Sequence, residues 1–365
     1  MSFSLGIVGL PNVGKSTLFN AITHCQAQAS NYPFCTIDPN IGIVTIPDER
    51  LKVLSGISNS KKLLPTAVEF VDIAGLVKGA SKGEGLGNQF LANIREVQAI
   101  IHVVRCFDDE NIVHVNGKVD PAADIEIINY ELIMSDLSTI EKRINSISKQ
   151  AKNNKIAKEQ LDLFEKVKTS LESGIMIRSM GLSELDQLLL RELSLLTNKA
   201  VIYVANVKEE QLKNAEHDKN VKIIEEISKK ENTQKVVISS KIEAELSELS
   251  QEEAAEFMKE IGITESGLDK LAKVSYSVLG LITYLTTGVQ ETRAWTIKKG
   301  TKAPQAAGVI HTDFERGFIK TEIVSYDDLV KTGSMLKAKD SGLVRMEGKE
   351  YVMQDGDVVD FKFNV

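Results

Sequence analysis

Along the first 110 residues of the chain, segments with the apolar pattern of a strand alternate with segments that have the apolar pattern of a helix. Apolar runs of strand type lie at residues 5–8, 41–46, 67–73 and 99–107. Helix-type segments lie between them, including residues 17–22 and 86–97. Strands that alternate with helices predict a mostly parallel sheet with helices on both faces. This part of the chain is therefore expected to have an α/β fold.

A helical pattern without a glycine or proline break runs from residue 123 to residue 152. A second helical segment, 156–171, follows the polar residues 152–155, which predict a turn. Apolar positions three or four apart form one stripe along each segment: Ile133, Leu137, Ile140, Ile144 and Ile147, then Ile156, Gln160, Leu163, Val167 and Leu171. This spacing is that of a heptad seam. We expect an antiparallel, coiled-coil-like helical hairpin.

Strand-type patterns return after the hairpin, at residues 199–205 and 235–239, so the hairpin is an insertion into the sheet domain. From residue 281 onward, short β-type runs and frequent glycines predict a small separate α+β domain. A chain of 365 residues is expected to form two or three domains. The predicted domains are a sheet domain (1–122 and 199–278), a helical insertion (123–198) and a carboxyl-terminal domain (279–365).

The net charge of −7 argues against a protein that coats nucleic acid with its whole surface. The hairpin differs from the rest of the chain, because residues 141–170 contain twice as many Lys and Arg as Asp and Glu. The basic residues include Lys142, Arg143, Lys149, Lys152, Lys155 and Lys158. Two interpretations stay open: a contact with nucleic acid or a ribosome, and a solvated coiled-coil face.

The remaining composition points to a cytoplasmic protein. Cys25, Cys35 and Cys106 lack metal-ligand spacing, and an odd number of scattered cysteines is typical of a reducing cytosol. The first five residues do not resemble a signal peptide. No run approaches 18 apolar residues, so we expect no membrane span.

Residues 9–16 read Gly-Leu-Pro-Asn-Val-Gly-Lys-Ser, the G-x-x-x-x-G-K-S pattern of a phosphate-binding loop. The loop lies between a strand-type and a helix-type segment, which is the context that the motif requires. Lys15 would reach the β- and γ-phosphates and act in catalysis, and the Ser16 hydroxyl would bind Mg²⁺. We predict a nucleoside triphosphate site that includes Asn12, Val13, Gly14, Lys15, Ser16 and Thr17.

Two further positions complete the predicted γ-phosphate and Mg²⁺ site. The strand at 67–73 ends in Asp72-Ile-Ala-Gly75, the Asp-x-x-Gly pattern of switch-type P-loop proteins. Asp72 would hold Mg²⁺ through a water molecule, and the Gly75 amide would sense the γ-phosphate. Thr36 lies in a loop between the two motifs, where its hydroxyl would complete the Mg²⁺ shell.

The choice of base is expected to depend on residues 206–209, Asn206-Val207-Lys208-Glu209. GTPases carry Asn-Lys-x-Asp here, and the aspartate accepts two hydrogen bonds from guanine. Glu209 is longer than aspartate and cannot adopt the same geometry, so the pattern modestly favours ATP. Ser239 belongs to a segment resembling the loop that closes over the base. A GTPase in which Glu209 reads guanine from a shifted position stays open.

The residue after Gly75 is Leu76, where Ras-like enzymes have a glutamine that orients the attacking water. Leucine cannot do this, so hydrolysis is expected to be slow or to use another group. His114 follows a strand whose carboxyl end should face the phosphates. It is a candidate for a catalytic or water-positioning role, and the alternative is a histidine on a surface loop.

The motifs together resemble those of the YchF family, also called Obg-like ATPases, in the TRAFAC class of P-loop proteins. The resemblance covers the whole chain and is carried by the phosphate loop at 9–17, Asn-Tyr-Pro-Phe-Cys-Thr-Ile-Asp-Pro-Asn at 31–40, Asp-Ile-Ala-Gly-Leu-Val at 72–77, the glycine-rich segment 78–91 and Asn-x-x-Glu at 206–209. The segments 286–295 and 307–319 look like the TGS domain of that family.

The resemblance implies an ATPase that binds GTP more weakly, hydrolyses slowly with Leu76 in the glutamine position, and uses His114 in catalysis. It also implies association with ribosomes, particularly the large subunit, and a role in translation control and stress responses. Asn12 matches an asparagine that can hold K⁺ in related proteins, where the ion places positive charge against the reacting phosphate. We expect a monomer. A nucleotide-gated RNA-binding protein with incidental hydrolysis stays open as an alternative.

Overall fold

A computed structural model describes residues 3–28, 40–73, 86–115 and 117–364. Its strands, numbered in chain order, are β1 (Ser4–Val8), β2 (Ile41–Thr45), β3 (Lys62–Leu64), β4 (Ala67–Asp72), β5 (Ala99–Arg105), β6 (Ala200–Asn206), β7 (Gln234–Ile238), β8 (Leu281–Thr287), β9 (Glu291–Lys298), β10 (Phe318–Ser325), β11 (Arg345–Glu347) and β12 (Asp357–Phe363).

The helices are numbered in the same way. They are α1 (Lys15–Gln28), α2 (Glu49–Ser58), α3 (Leu86–Glu96), α4 (Pro121–Ala151), α5 (Lys155–Glu172), α6 (Glu184–Leu190), α7 (Glu209–Leu212), α8 (Lys219–Lys230), α9 (Ser240–Glu248), α10 (Gln251–Ile261), α11 (Gly267–Val278), α12 (Ala303–Ile310), α13 (Thr312–Arg316), α14 (Tyr326–Thr332) and α15 (Met335–Asp340). None of the described helices is both long and apolar enough to cross a membrane.

The first sheet has the strand order β2-β4-β1-β5-β6-β7, and the ladder from β4 through β7 is parallel. Every residue of β5 is buried, as expected for a central parallel strand with helices on both faces. The direction of sheet growth reverses at β1, which has β4 on one side and β5 on the other. Ligands of open α/β sheets bind beyond the carboxyl ends of the strands at such a reversal. The predicted α/β fold class is confirmed.

The helical insertion consists of α4 and α5, joined by a short turn. Asn154 caps α5, because its side chain accepts hydrogen bonds from the amides of Ile156 and Ala157. The buried seam contains Ile133, Ile140, Ile147, Ala157, Leu163, Phe164, Val167 and Leu171. The predicted start of the second stripe was one residue off, since Ile156 is 67% exposed and Ala157 is 5% exposed. Ile156 lies in the first turn of α5, just past the cap.

The described residues form two compact units, and the first contains the parallel sheet with the helical insertion. The second unit combines Val44–Val68 with the chain from Ser275 onward. Its sheet has the order β11-β10-β12-β8-β9-β3, with α2 packed on it through Leu51 and Leu54. Sequence analysis assigned residues 44–68 to the sheet domain. The structure differs because β3 pairs with β9, and α2 shares a core with the carboxyl-terminal residues.

Candidate nucleotide site

The phosphate-binding loop lies between β1 and α1, and α1 begins at Lys15. Two residues of the loop have positive φ angles: 63° at Asn12 and 96° at Gly14. A Cβ atom on Gly14 would lie 2.1 Å from the side-chain nitrogen of Asn206. Gly14 is therefore required both by its backbone conformation and by the close approach of Asn206.

Lys15 and Asp72, which sequence analysis assigned to the phosphates and to Mg²⁺, lie side by side. The Lys15 Nζ is 2.5 Å from the Asp72 Oδ1, and the two side chains are 12% and 24% exposed. Asp72 ends β4, which pairs with β1 in parallel, so both residues lie at the carboxyl edge of the sheet. This arrangement puts a cation for phosphate oxygens next to a carboxylate for a metal-bound water.

Asn206 joins three segments at the same edge. Its side-chain amide donates to the carbonyl of Val13 at 2.7 Å, and its side-chain oxygen accepts from the amide of Ser240 at 2.9 Å. Asn206 is 3% exposed and lies at the end of β6. The residue thus links β6, the phosphate-binding loop and the start of α9, and it is held away from bulk water.

The other predicted base residues lie near Asn206 in the chain but differ in exposure. Val207 is 2% exposed, whereas Glu209 begins α7 and is exposed. Ser239 lies in the loop after β7 and is 1% exposed, and its hydroxyl has no hydrogen-bond partner among the described residues. The hydroxyl of Ser240 is also unpartnered. Two buried hydroxyls without partners are what a polar ligand group in this loop could satisfy.

The loop that carries His114 is organised by a buried arginine. Arg105 is 1% exposed and ends β5. Its guanidinium donates to the carbonyls of Phe107 at 2.9 Å, Ile112 at 3.0 Å and Asp109 at 3.4 Å. Three bonds from one rigid, planar group determine the course of the loop up to the residues before His114.

His114 itself is 7% exposed, so the alternative of a surface-loop histidine is wrong. Its Nε2 lies 2.9 Å from Oδ2 of Asp124, a buried residue in the first turn of α4. The neighbouring residue, Val113, accepts a hydrogen bond of 3.1 Å from the side-chain amide of Asn12. The histidine loop therefore contacts the phosphate-binding loop directly.

Comparison with known proteins places this site in a family. A "Ribosome-binding ATPase YchF" of Bacillus subtilis (strain 168) is 57% identical, and one of Escherichia coli O157:H7 is 52% identical, each over the full length of both chains. The chain belongs to the YchF family. The structure of the Schizosaccharomyces pombe YchF GTPase matches with a TM-score of 0.90 and 41% identity, covering 99% of this chain and 98% of that one.

Two family models agree with this membership. One, described as "50S ribosome-binding GTPase", matches residues 4–134, and the model of the YchF carboxyl-terminal domain, described as a "protein of unknown function", matches residues 281–364. This member of the YchF family is thus a P-loop NTPase with an additional carboxyl-terminal domain. The resemblance stated from the motifs and the predicted fold class are both confirmed.

The donor set of this YchF-family site fits Mg²⁺. Ser16 lies in the first turn of α1, and Asp72 ends β4, so a hydroxyl and a carboxylate are available as hard oxygen ligands. In the described residues, no group of three His, Cys, Asp or Glu side chains could hold a metal ion by itself. Mg²⁺ at nucleotide sites takes only one or two protein ligands and completes its shell with water and phosphate oxygens.

Several predicted site residues lie outside the described part of this YchF-family chain, namely Thr36, Gly75 and Leu76. Conversely, sequence analysis missed Arg105, Asp124 and Ser240. Arg105 could have been noticed from the sequence, because it is a charged residue at the end of a strand that is apolar apart from His102. Asp124 left no such signal, because an acidic residue in the first turn of a helix is common for reasons of the helix dipole alone.

Proposed function

We propose that this chain is a ribosome-associated ATPase that binds ATP with Mg²⁺, hydrolyses it slowly, and acts as a conformational switch in translation and stress regulation. The observation that carries the proposal is the Lys15–Asp72 pair, 2.5 Å apart at the carboxyl edge of the sheet. These two side chains have the chemistry that triphosphate and Mg²⁺ require. The protein is proposed to act as a monomer in the cytoplasm.

In the proposed mechanism, the amides of residues 12–17 and the amino terminus of α1 bind the phosphates. Lys15, which pairs with Asp72, would bind the β- and γ-phosphates, and Asp72 would then be available to hold Mg²⁺ through a water molecule. Ser16 and Thr36 would hold Mg²⁺, which would supply positive charge against the γ-phosphate. The Gly75 amide would bind the γ-phosphate, so the conformation of the segment after Gly75 would depend on whether that phosphate is present.

The attacking water is proposed to be positioned by His114, because Leu76 has no hydrogen-bonding group. The bond between Asn12 and the Val113 carbonyl supports this role, since it holds the histidine loop against the phosphate-binding loop. Asn12 uses its amide nitrogen in that bond, which leaves the side-chain oxygen as a ligand of the kind K⁺ takes. Potassium would then add charge stabilisation beside the γ-phosphate.

For the base, Asn206, Val207, Glu209 and Ser239 are the proposed contacts. The exposed Glu209 in place of an aspartate supports ATP over GTP, as do the names of the Bacillus and Escherichia relatives. A GTPase is the second candidate, because the fission yeast relative is titled a GTPase. In that case Glu209 would accept hydrogen bonds from guanine in a shifted pose.

A calorimetric titration with ATP and with GTP, each with Mg²⁺, tests the choice of base. We expect ATP to bind more tightly than GTP, in line with the names of the Bacillus and Escherichia relatives, because a site without the paired acceptor loses its preference for guanine. Tighter binding of GTP would contradict the ATPase and favour the second candidate. A separate assay of ATP hydrolysis, in K⁺ or in Na⁺ and with or without ribosomes, measures how far K⁺ and ribosomes each activate hydrolysis.

Ribosome association is proposed through the helical insertion (123–198), with the TGS-like domain (279–365) as a further RNA contact. The lysines near the hairpin turn support this, because Lys152, Lys155 and Lys158 are exposed and form no ion pair within the described residues. The large subunit is the proposed binding partner. The alternative is a nucleotide-gated RNA-binding protein whose hydrolysis is incidental. In that case bound nucleotide would change the affinity for RNA, and a variant that cannot hydrolyse ATP would still carry out the function of the protein.

A further inference from the structure

His114 and Asp124 form a buried pair, of which the proposed function uses only the histidine. The side chains are 5% and 2% exposed, and the Nε2–Oδ2 distance is 2.9 Å. Asp124 is fixed because α4 begins three residues earlier, at Pro121, with Asp120 as its cap. The carboxylate therefore has a rigid position relative to the backbone of the histidine loop.

The chemistry of this pair assigns the imidazole proton. An ionised carboxylate has only acceptor sites, so the Nε2 of His114 carries the hydrogen that points to Asp124. In a neutral imidazole the other ring nitrogen, Nδ1, then has the lone pair and is the basic atom. The negative charge of Asp124 also stabilises the imidazolium that would form if Nδ1 took up a proton.

The surroundings place this pair next to the phosphate-binding loop. Arg105 fixes the loop before His114 through three backbone carbonyls, and Asn12 of the phosphate-binding loop bonds to the carbonyl of Val113. The histidine is thus held from two directions: the carbonyl of the preceding residue, Val113, bonds to the phosphate-binding loop, and its own Nε2 bonds to α4.

We propose that Asp124 is a positioning residue that acts through His114, fixing the Nε2–H tautomer so that Nδ1 accepts a proton from the attacking water. The water oxygen bonds to the γ-phosphorus as the bond from that phosphorus to the β–γ bridging oxygen breaks. The water proton passes to Nδ1 and then to the phosphate product. This inference rests on the proposed function, in which His114 acts on that water.

The test compares Asp124→Asn, His114→Ala and the double variant in steady-state hydrolysis of ATP. We expect Asp124→Asn to lower kcat roughly 10- to 100-fold, within the range of a general base, while KM and the Kd of ATP change less than about twofold. In the His114→Ala background, Asp124→Asn should have no further effect.

Asp120→Asn is the matched control. It removes a carboxylate from the same helix end, four residues away, and asparagine keeps the cap that Asp120 provides to the amide of Ala123. We expect its kcat and KM to stay within about twofold of those of the unsubstituted chain, as for a cap-preserving change. An equal loss of kcat in Asp120→Asn and Asp124→Asn would overturn the inference, because the loss would then come from any change at this end of α4 and not from the contact with His114.

The outcomes separate this inference from the proposed function. If His114→Ala loses hydrolysis and Asp124→Asn does not, the inference fails and the proposed function stands. If His114→Ala hydrolyses normally, the proposed role of the histidine fails. Nitrogen NMR of the unsubstituted protein gives a test that needs no folded variant at position 124. A protonated Nε2 and an unprotonated Nδ1 are expected, and the opposite tautomer would refute the inference.

Discussion

At the scale of single residues, Asn206 shows how closely the site is packed. Its one side chain satisfies the carbonyl of Val13 and the amide of Ser240 while it is almost fully buried. Buried polar groups that lose such partners destabilise a fold by about 1–3 kcal/mol each. The glycine at position 14 is what gives this side chain room.

The variant Gly14→Ala should therefore displace Asn206 and strain the positive φ angle. We expect ATP affinity to fall at least about tenfold and the free energy of unfolding to fall by about 2 kcal/mol. Calorimetry with ATP and urea denaturation measure the two effects. Gly56→Ala is the control, because a Cβ on Gly56 meets no atom within 4 Å inside α2. Unchanged ATP affinity in Gly14→Ala would contradict the packing described for Asn206.

Sequence analysis predicted residues with local signals and missed those set by tertiary contacts. Lys15, Asp72 and Asn206 follow strands in recognisable motifs, and the fold brings them to one edge as parallel pairing requires. His102 lies within the apolar strand β5 and is 2% exposed. Burial, with a smaller contribution from the charge of Arg178, lowers its pKa to about 3. The His114–Asp124 pair joins a loop to the start of a helix, and the spacing of residues in the sequence does not predict such a contact.

At the scale of elements, the hairpin combines a buried seam with an unpaired basic tip. The buried residues of α4 and α5 follow the predicted heptad pattern, except in the first turn of α5. Near the turn, Lys149, Lys152, Lys155 and Lys158 are exposed without ion pairs among the described residues. Farther along the hairpin, Lys168 is paired with Glu141 at 2.9 Å. Basic charge is thus available to a partner mainly near the turn.

Reversing the charges of Lys152, Lys155 and Lys158 to Glu should weaken ribosome binding by about tenfold or more at low salt. If each lysine contacts an RNA phosphate, the slope of log affinity against log salt should fall by about two to three. Cosedimentation over a range of KCl concentrations measures both. The control reverses Lys219, Lys222 and Lys259, which are also exposed and lie outside the hairpin. Equal binding by the two triple variants would exclude the hairpin as the contact.

At the scale of the whole molecule, the second unit is assembled from two distant parts of the chain. Leu51 and Leu54 are 1% and 0% exposed and share a core with Leu285 and Val324. Arg50 adds an ion pair of 2.8 Å with Asp355. The sequence boundary at residue 279 could not reveal this, because α2 carries only a short amphipathic pattern that fits either domain.

Removing residues 279–365 should therefore uncover the apolar face of α2. Each leucine loses about 1.5–3 kcal/mol of hydrophobic stabilisation when its side chain is exposed to water. We therefore expect the shortened chain to bind apolar dyes and to aggregate. Size-exclusion chromatography and dye fluorescence measure this. The same shortened chain with Leu51→Ser and Leu54→Ser should aggregate less. A monomeric shortened chain whose α2 amides stay protected from hydrogen exchange would contradict the shared core.

The pairing of β3 with β9 also fixes an order of events during synthesis. Lys62 lies beside Glu291 in the sheet, so the whole intervening part of the chain must be made before these neighbours can meet. Contacts so far apart in sequence form slowly, and apolar segments waiting for partners are open to misassembly. The nascent α2 and β3 thus emerge early and finish folding last, so the interval between the synthesis of β3 and that of β9 is the one in which they are most exposed to chaperones and proteases.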